Sequence, residues 1–321
     1  MKKYLPIAAR LLISGVLLWW LFKEHSEKIL PQLGSLKEQW RWTLAGLACA
    51  GLSQFLTAWR WWLVLRPQVR EVTFGEALHA TLIAAFFNIP SLGSLGGDAY
   101  RVLAINRRYP GTAAATGMSV MVDHVAGVLA TAVLFFVTGM IAMNEWPNYG
   151  PGMRSVMMNF TVFFLVASVL MVGSIFTLSP PFLRWAERIS PRLVSFSFVK
   201  NMAHTFDPLW KSWRASMWAV VISLGMSSLY YLSFYCGLRA VGGSAPMVLV
   251  LMAMPIVDVA AALPISVSGL GVREKTFGAL MAAFVGLSEA TSVLASLAGW
   301  LFTVFWGLAG GLLFISQSKS R

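Results

Sequence analysis

Seven ionisable side chains lie inside apolar stretches of this chain or beside loops rich in glycine and proline: Asp98, Arg101, Asp123, His124, Asp258, Arg273 and Glu274. A guanidinium can hold a phosphate through two parallel hydrogen bonds, and a carboxylate can hold an amine or a proton. The set therefore suits the binding of a charged molecule. No serine–histidine–acid motif and no cysteine–histidine cluster with metal spacing accompanies it, so we expect no catalytic residue, no metal and no cofactor.

Most of these residues lie in two loops. The first runs from Asn88 to Arg101 through Pro90, and the second runs from Leu263 to Glu274 through Pro264. Their small residues would let the backbone approach a phosphate, or would serve tight helix packing alone. The small and polar loop residues that are candidates for this contact are Asn88, Gly93, Gly96, Gly97, Ser268, Gly269 and Gly271. Paired segments interrupted by Gly and Pro, one in each half of a membrane protein, indicate a transport site.

The composition indicates a membrane protein. Hydrophobic residues make up 57% of the chain and charged residues 12%, whereas soluble proteins carry about 25% charged residues. Long apolar runs favour helices over a β-barrel. The net charge of +12 is explained by bases that flank apolar segments and contact anionic lipids, so we expect no nucleic-acid partner. Cys49 and Cys236 lie in apolar segments and are expected to pack rather than to form a disulfide.

We predict an all-α polytopic membrane protein with a single transmembrane domain over residues 1–321. Six segments predict full spans: 5–22, 42–65, 112–142, 155–179, 215–240 and 290–316. Segments 72–110 and 246–289, which contain the two loops, are predicted to be re-entrant hairpins. The first span resembles a signal peptide but lacks a small-residue cleavage site, and we interpret it as retained.

The distribution of basic residues supports the hairpins. If 72–90 crossed the membrane, the basic link 180–214 would lie outside, against the positive-inside rule. With re-entrant hairpins both termini are cytoplasmic, and 17 of the 25 basic residues lie inside and 8 outside. The link then holds helices on the inner membrane surface or is a solvated linker. The halves 1–142 and 155–316 each contain three crossings, so an inverted repeat is expected.

The charged pairs of the first half have two interpretations each. Asp98 and Arg101 would contact a head group at the hairpin tip, or form a local salt bridge at i, i+3 spacing. Asp123 and His124 would relay a proton or pair with a substrate amine or a hairpin arginine. Alternatively, they form an internal ion pair that holds helices together.

The charges of the second half are also ambiguous. Arg273 would bind a lipid phosphate, or Arg273 and Glu274 would only cap the helix that follows. Asp258 lies six residues before Pro264, inside an apolar segment where charge is costly and points to function.

The motifs resemble those of a known family. They are Asn88, Pro90, Gly96-Gly97-Asp98 and Arg101; Asp123-His124 within Ser119–Gly127; and Leu263-Pro-Ile-Ser with Gly269-Leu-Gly-Val-Arg-Glu274. This pattern is similar to the lysylphosphatidylglycerol synthase membrane-domain family, also called flippase-like or UPF0104 proteins. The best-known member joins such a domain to an aminoacyltransferase and moves aminoacylated phosphatidylglycerol across the membrane. Some relatives are associated with hopanoid or polyprenyl-glycan pathways. Because this chain has no transferase domain, the resemblance implies transport rather than synthesis.

Residues and resemblance together predict a lipid translocase in the cell inner membrane. It would move a phospholipid or a lipid-linked glycan, contact anionic lipids and work beside a separate lipid-modifying enzyme. The predicted substrate-binding residues are Asn88, Gly96, Gly97, Asp98, Arg101, Asp123, His124, Asp258, Ser268, Gly269, Gly271, Arg273 and Glu274. The alternatives are an integral-membrane transferase, with Asp98, Asp123 or Glu274 as its base, and a non-catalytic scaffold for lipid biosynthesis.

Overall fold

The computed structural model describes residues 38–91, 94–142, 151–177, 179–189, 207, 210–263 and 266–318. Within these ranges the chain is helical and contains no β-strand, which confirms the predicted all-α class. The predicted span 5–22, Gly93 and most of the link between 190 and 209 lie outside the described residues.

Ten α-helices and one short 3-10 turn are formed within the described ranges. They are α1 Trp40–Leu65, α2 Phe74–Asn88, α3 Leu95–Arg108, α4 Ala113–Ile141, α5 Pro151–Thr177, α6 Pro180–Ile189, α7 Trp213–Ala240, α8 Met247–Ala262, the 3-10 turn Val267–Gly269, α9 Val272–Val285 and α10 Glu289–Ser318. Five of the six predicted spans coincide with α1, α4, α5, α7 and α10.

Four of these helices are long and apolar enough to cross a membrane. They are α4, α7, residues 154–173 of α5 and residues 289–316 of α10. Helix α1 is 26 residues long but less apolar, because tryptophans, Gln54 and Arg60 interrupt its hydrophobic residues. The chain is therefore a multi-pass membrane protein by the length and composition of its helices.

The first predicted hairpin, 72–110, folds as two helices that pack on each other. Thr73 and Glu76 form a capping box that begins α2, and the chain turns between α2 and α3 around Pro90. Glycines allow the close approach. A Cβ on Gly96 would lie 2.4 Å from the carbonyl oxygen of Phe87, and one on Gly97 would lie 2.6 Å from that of Ala84.

The second predicted hairpin turns through backbone conformations that favour glycine. Between α8 and α9 the φ angles of Ser268, Gly269 and Gly271 are +53°, +72° and +83°. The Gly271 N–H donates to Oε2 of Glu274 over 2.6 Å, which caps the start of α9. A Cβ on Gly269 would lie 2.6 Å from that of Ala261, so this turn is also tightly packed.

The two halves pack reciprocally. Helices α1 and α7, which precede the hairpins, form the largest helix contact. The last helix of each half covers the hairpin of the other: α10 packs on α2, and α4 packs on α8. The contacts of α1 with α2 and of α3 with α4 have counterparts in those of α7 with α8 and of α9 with α10. This arrangement places the two loops next to each other.

Helix α6, at the start of the basic link, is amphipathic. Arg184, Glu187 and Arg188 share one face, and Trp185 and Ile189 lie on the opposite face. The two apolar side chains are 56% and 65% exposed. An exposed apolar face opposite arginines suits a helix that lies on a membrane surface.

Candidate functional site

A cavity of about 460 Å³ lies between the two hairpins. Of the ten helices in the described part of the chain, all except α5 and α6 contribute to its wall. Eight of the predicted substrate-binding residues line it: Asn88, Asp98, Arg101, Asp123, His124, Asp258, Ser268 and Arg273. The structure therefore brings together residues from both halves that are up to about 185 positions apart in the sequence.

The two loops touch beside this cavity. The backbone N–H of Ser268, in the second loop, donates to the carbonyl oxygen of Ser91, in the first, over 3.3 Å. This hydrogen bond joins the two loops directly. The wall of the cavity is thus continuous from one hairpin to the other at this point.

Asp123 is the centre of a buried ionic network in the first half. Its carboxylate, 1% exposed, accepts two hydrogen bonds from Arg60 of α1, at 2.6 Å from Nε and 2.9 Å from Nη2. Nη1 of Arg101 lies 3.4 Å from the same carboxylate, and Nη1 of Arg60 donates to Ser223 of α7 over 3.0 Å. Asp123 thus joins α1, α3 and α4, which supports the interpretation that it holds helices together.

Asp98 lies at the more exposed side of the same network. Its Oδ2 is 2.8 Å from Nε2 of His124 and accepts a 2.7 Å hydrogen bond from Ser94. The predicted salt bridge to Arg101 is long, at 3.9 Å. The His124 side chain is 45% exposed, so this part of the network is the part that a ligand in the cavity can reach.

Arg273 of the second hairpin differs from the arginines of the first. It is 6% exposed, and its Nη2 donates to the carbonyl oxygen of Ser268 over 2.5 Å. Its guanidinium carbon lies 6.0 Å from the centre of the Trp300 ring. Nε and Nη1 have no hydrogen-bond partner within the described part of the chain. Asp258, which also lines the cavity, interacts electrostatically with Arg273.

Five predicted binding residues lie outside the cavity wall: Gly96, Gly97, Gly269, Gly271 and Glu274. The glycines permit the close contacts within each hairpin. Glu274 is fully buried and accepts from Gly271 and, at 3.4 Å, from Ser296. The structure therefore separates Arg273, which lines the cavity, from Glu274, which caps a helix.

Some cavity residues were not among the sequence predictions. Arg60 is not among the predicted substrate-binding residues, although a single charge next to Trp59, Trp61 and Trp62 in an apolar helix is a recognisable signal. Tyr230 and Trp300 also line the cavity. They gave no signal, because aromatic residues are frequent throughout this sequence and are expected in membrane helices.

Comparison with known proteins identifies the family. The model of the lysylphosphatidylglycerol synthase transmembrane region matches residues 7–311. The chain belongs to this family. A UPF0104 membrane protein of Pyrococcus horikoshii is 22% identical to this chain over 341 aligned positions. The alignment covers 99% of this chain and 98% of that protein. No solved structure matches the chain.

Proposed function

We propose that this protein is a lipid translocase that moves a lipid with an anionic head group across the cytoplasmic membrane. The observation that carries the proposal is Arg273, a buried cation on the cavity wall. Two of its guanidinium nitrogens, Nε and Nη1, lack a hydrogen-bond partner in the described part of the chain. A buried, unsatisfied guanidinium is unfavourable by itself. A phosphate or carboxylate on a ligand would supply the missing acceptors.

The other cavity residues suit the movement of a lipid rather than a chemical reaction. A transferase needs a carboxylate that can accept a proton, and each of the three candidates is engaged in the structure. Asp123 is held by two arginines, Glu274 caps a helix, and Asp98 is bound by His124 and Ser94. The polar cavity lets a head group exchange water for protein contacts, while its acyl chains remain in lipid. Membership of the lysylphosphatidylglycerol synthase family is consistent with a lipid as the ligand.

The proposal includes an inverted repeat with re-entrant hairpins. The reciprocal packing of α10 on α2 and of α4 on α8 supports it, because two halves related by a pseudo-two-fold axis make each contact twice. With both termini in the cytoplasm, the α3–α4 connection near Arg108 lies inside, and α5 begins outside.

This topology predicts the accessibility of single cysteines placed in a variant that lacks Cys49 and Cys236. A cysteine at Arg108, whose side chain is 70% exposed, should react with a membrane-impermeant maleimide only after the cells are opened. A cysteine at Lys28 should react in intact cells. Labelling of Arg108→Cys from outside would contradict the hairpin arrangement, because 72–110 would then cross the membrane.

The function predicts that Arg273→Lys slows translocation at least tenfold while the protein still folds. Lysine keeps the charge but loses the planar group that can offer several donors to one anion. The measurement uses proteoliposomes that contain tail-labelled phosphatidylglycerol, whose outer-leaflet fraction is quenched with dithionite over time.

Lys275→Arg is the matched control on the same helix, because Lys275 lies on the surface in a 2.7 Å pair with Glu289. It should translocate lipid at the parental rate. Equal rates for Arg273→Lys and the parent would show that Arg273 is structural and would favour the scaffold alternative.

A further inference from the structure

Neutral hydrogen-bonding side chains line the cavity beside its charged groups. Thr81 is 1% exposed, and its hydroxyl has no hydrogen-bond partner in the described ranges. Thr57 and Thr303 each donate to a carbonyl of their own helix, at 2.8 and 2.7 Å, and keep free acceptor positions. Asn88 accepts from Gly97 through Oδ1, which leaves its NH₂ group as a donor. The cavity therefore offers donors and acceptors that no ion pair explains.

Aromatic side chains border these hydroxyls. Trp300 and Tyr230 both line the cavity and lie on neighbouring helices, α10 and α7. Arg273 already lies 6.0 Å from the Trp300 ring centre. A second cation over that ring would be repelled, so the aromatic wall does not suit a choline group. It suits the apolar face of an uncharged ligand.

We propose that the head group is a phosphate ester of a ring-shaped polyol, either a sugar or a cyclitol. Each hydroxyl of such a ring donates and accepts, which matches the threonines and Asn88. The C–H face of the ring would pack on Trp300, and the phosphate would bind Arg273. A cavity of about 460 Å³ lies within the range of roughly 300–1,000 Å³ found for small-ligand sites. The proposal rests on the proposed function, since it names the substrate class of the same cavity.

Tail-labelled lipids that differ only in the head group test it in proteoliposomes. Phosphatidylinositol should move about five- to tenfold faster than phosphatidylglycerol, because its ring gains several hydrogen bonds and a contact with Trp300. Its advantage over phosphatidylcholine should be larger than its advantage over phosphatidylglycerol. Thr81→Val and Trp300→Leu should each bring the ratio of the phosphatidylinositol rate to the phosphatidylglycerol rate close to one. Trp59→Leu is the matched control, because Trp59 is 42% exposed and does not line the cavity.

Competition by a short-chain isoprenyl phosphoglucose distinguishes a sugar ring from a cyclitol ring. Competition with phosphatidylinositol would show that sugars enter the site, whereas a preference for phosphatidylinositol without such competition would restrict the site to cyclitols. If phosphatidylinositol and phosphatidylglycerol move at equal rates that still depend on Arg273, the ring proposal is wrong and the proposed function stands. If the protein moves none of them, the proposed function fails as well.

Discussion

Replacement of Asp123 by asparagine is expected to lower the free energy of unfolding by about 3–5 kcal/mol, the usual cost of removing one partner from a buried ion pair. The substitution leaves Arg60 and Arg101, which are 5% and 7% exposed, without their shared counter-charge. Thermal unfolding in detergent, followed by tryptophan fluorescence, should show a clearly lower midpoint. The double variant Arg60→Met, Asp123→Leu should recover part of the loss, because it removes both members of the closest pair.

Asp207→Asn is the control for this change. Asp207 pairs with Lys211 at the surface, where an ion pair contributes at most about 1 kcal/mol. An unchanged midpoint for Asp123→Asn would contradict the structural role of the network. If the midpoint falls, any loss of transport by this variant reports on folding and is not evidence that Asp123 lies on the lipid path.

Alanine at position 310 is expected to destabilise the protein by about 3 kcal/mol, the upper end of the usual cost of overpacking. Helix α10 crosses α2 at Gly310, and a Cβ there would lie 1.9 Å from the carbonyl oxygen of Leu82. A backbone atom cannot move aside as a side-chain tip can, so the two helices must separate. The measurement is again the unfolding midpoint in detergent.

Gly117→Ala, on the long helix α4, is expected to have the opposite effect on stability. A Cβ at Gly117 of α4 meets no atom within 4 Å, so alanine should raise stability by up to about 1 kcal/mol, through its better helix propensity. Equal effects at positions 310 and 117 would show that α10 and α2 do not pack as closely as described.

The sequence predicts the helices and loops well but does not predict the pairing of charges. Apolar runs and Gly/Pro breaks are local signals, and they locate α4, α7, α10 and both hairpins within a few residues. The pairing of Arg60 with Asp123 joins residues 63 positions apart, and no local pattern specifies it. Which carboxylate remains free for a ligand therefore emerges only once the helices are packed.

The dependence on helix packing also explains why Arg273 and Glu274 have different roles. Arg273 and Glu274 are neighbours in sequence, and both a binding and a capping interpretation fit either of them. The turn through Ser268 and Gly271 directs Glu274 back to the start of α9 and leaves Arg273 on the cavity wall. Backbone conformation, which depends on the packing of α8 and α9, separates the two roles.

The reciprocal packing of the halves has a consequence for biosynthesis. Helix α10, which covers α2, begins about 200 residues after α2 ends. At a synthesis rate of about 5–20 residues per second, the ribosome needs roughly 10 to 40 seconds to make the intervening chain. During that interval the first hairpin, formed by α2 and α3, lacks the helix that covers it. We therefore expect the first hairpin to reach its packed form only after α10 has been made.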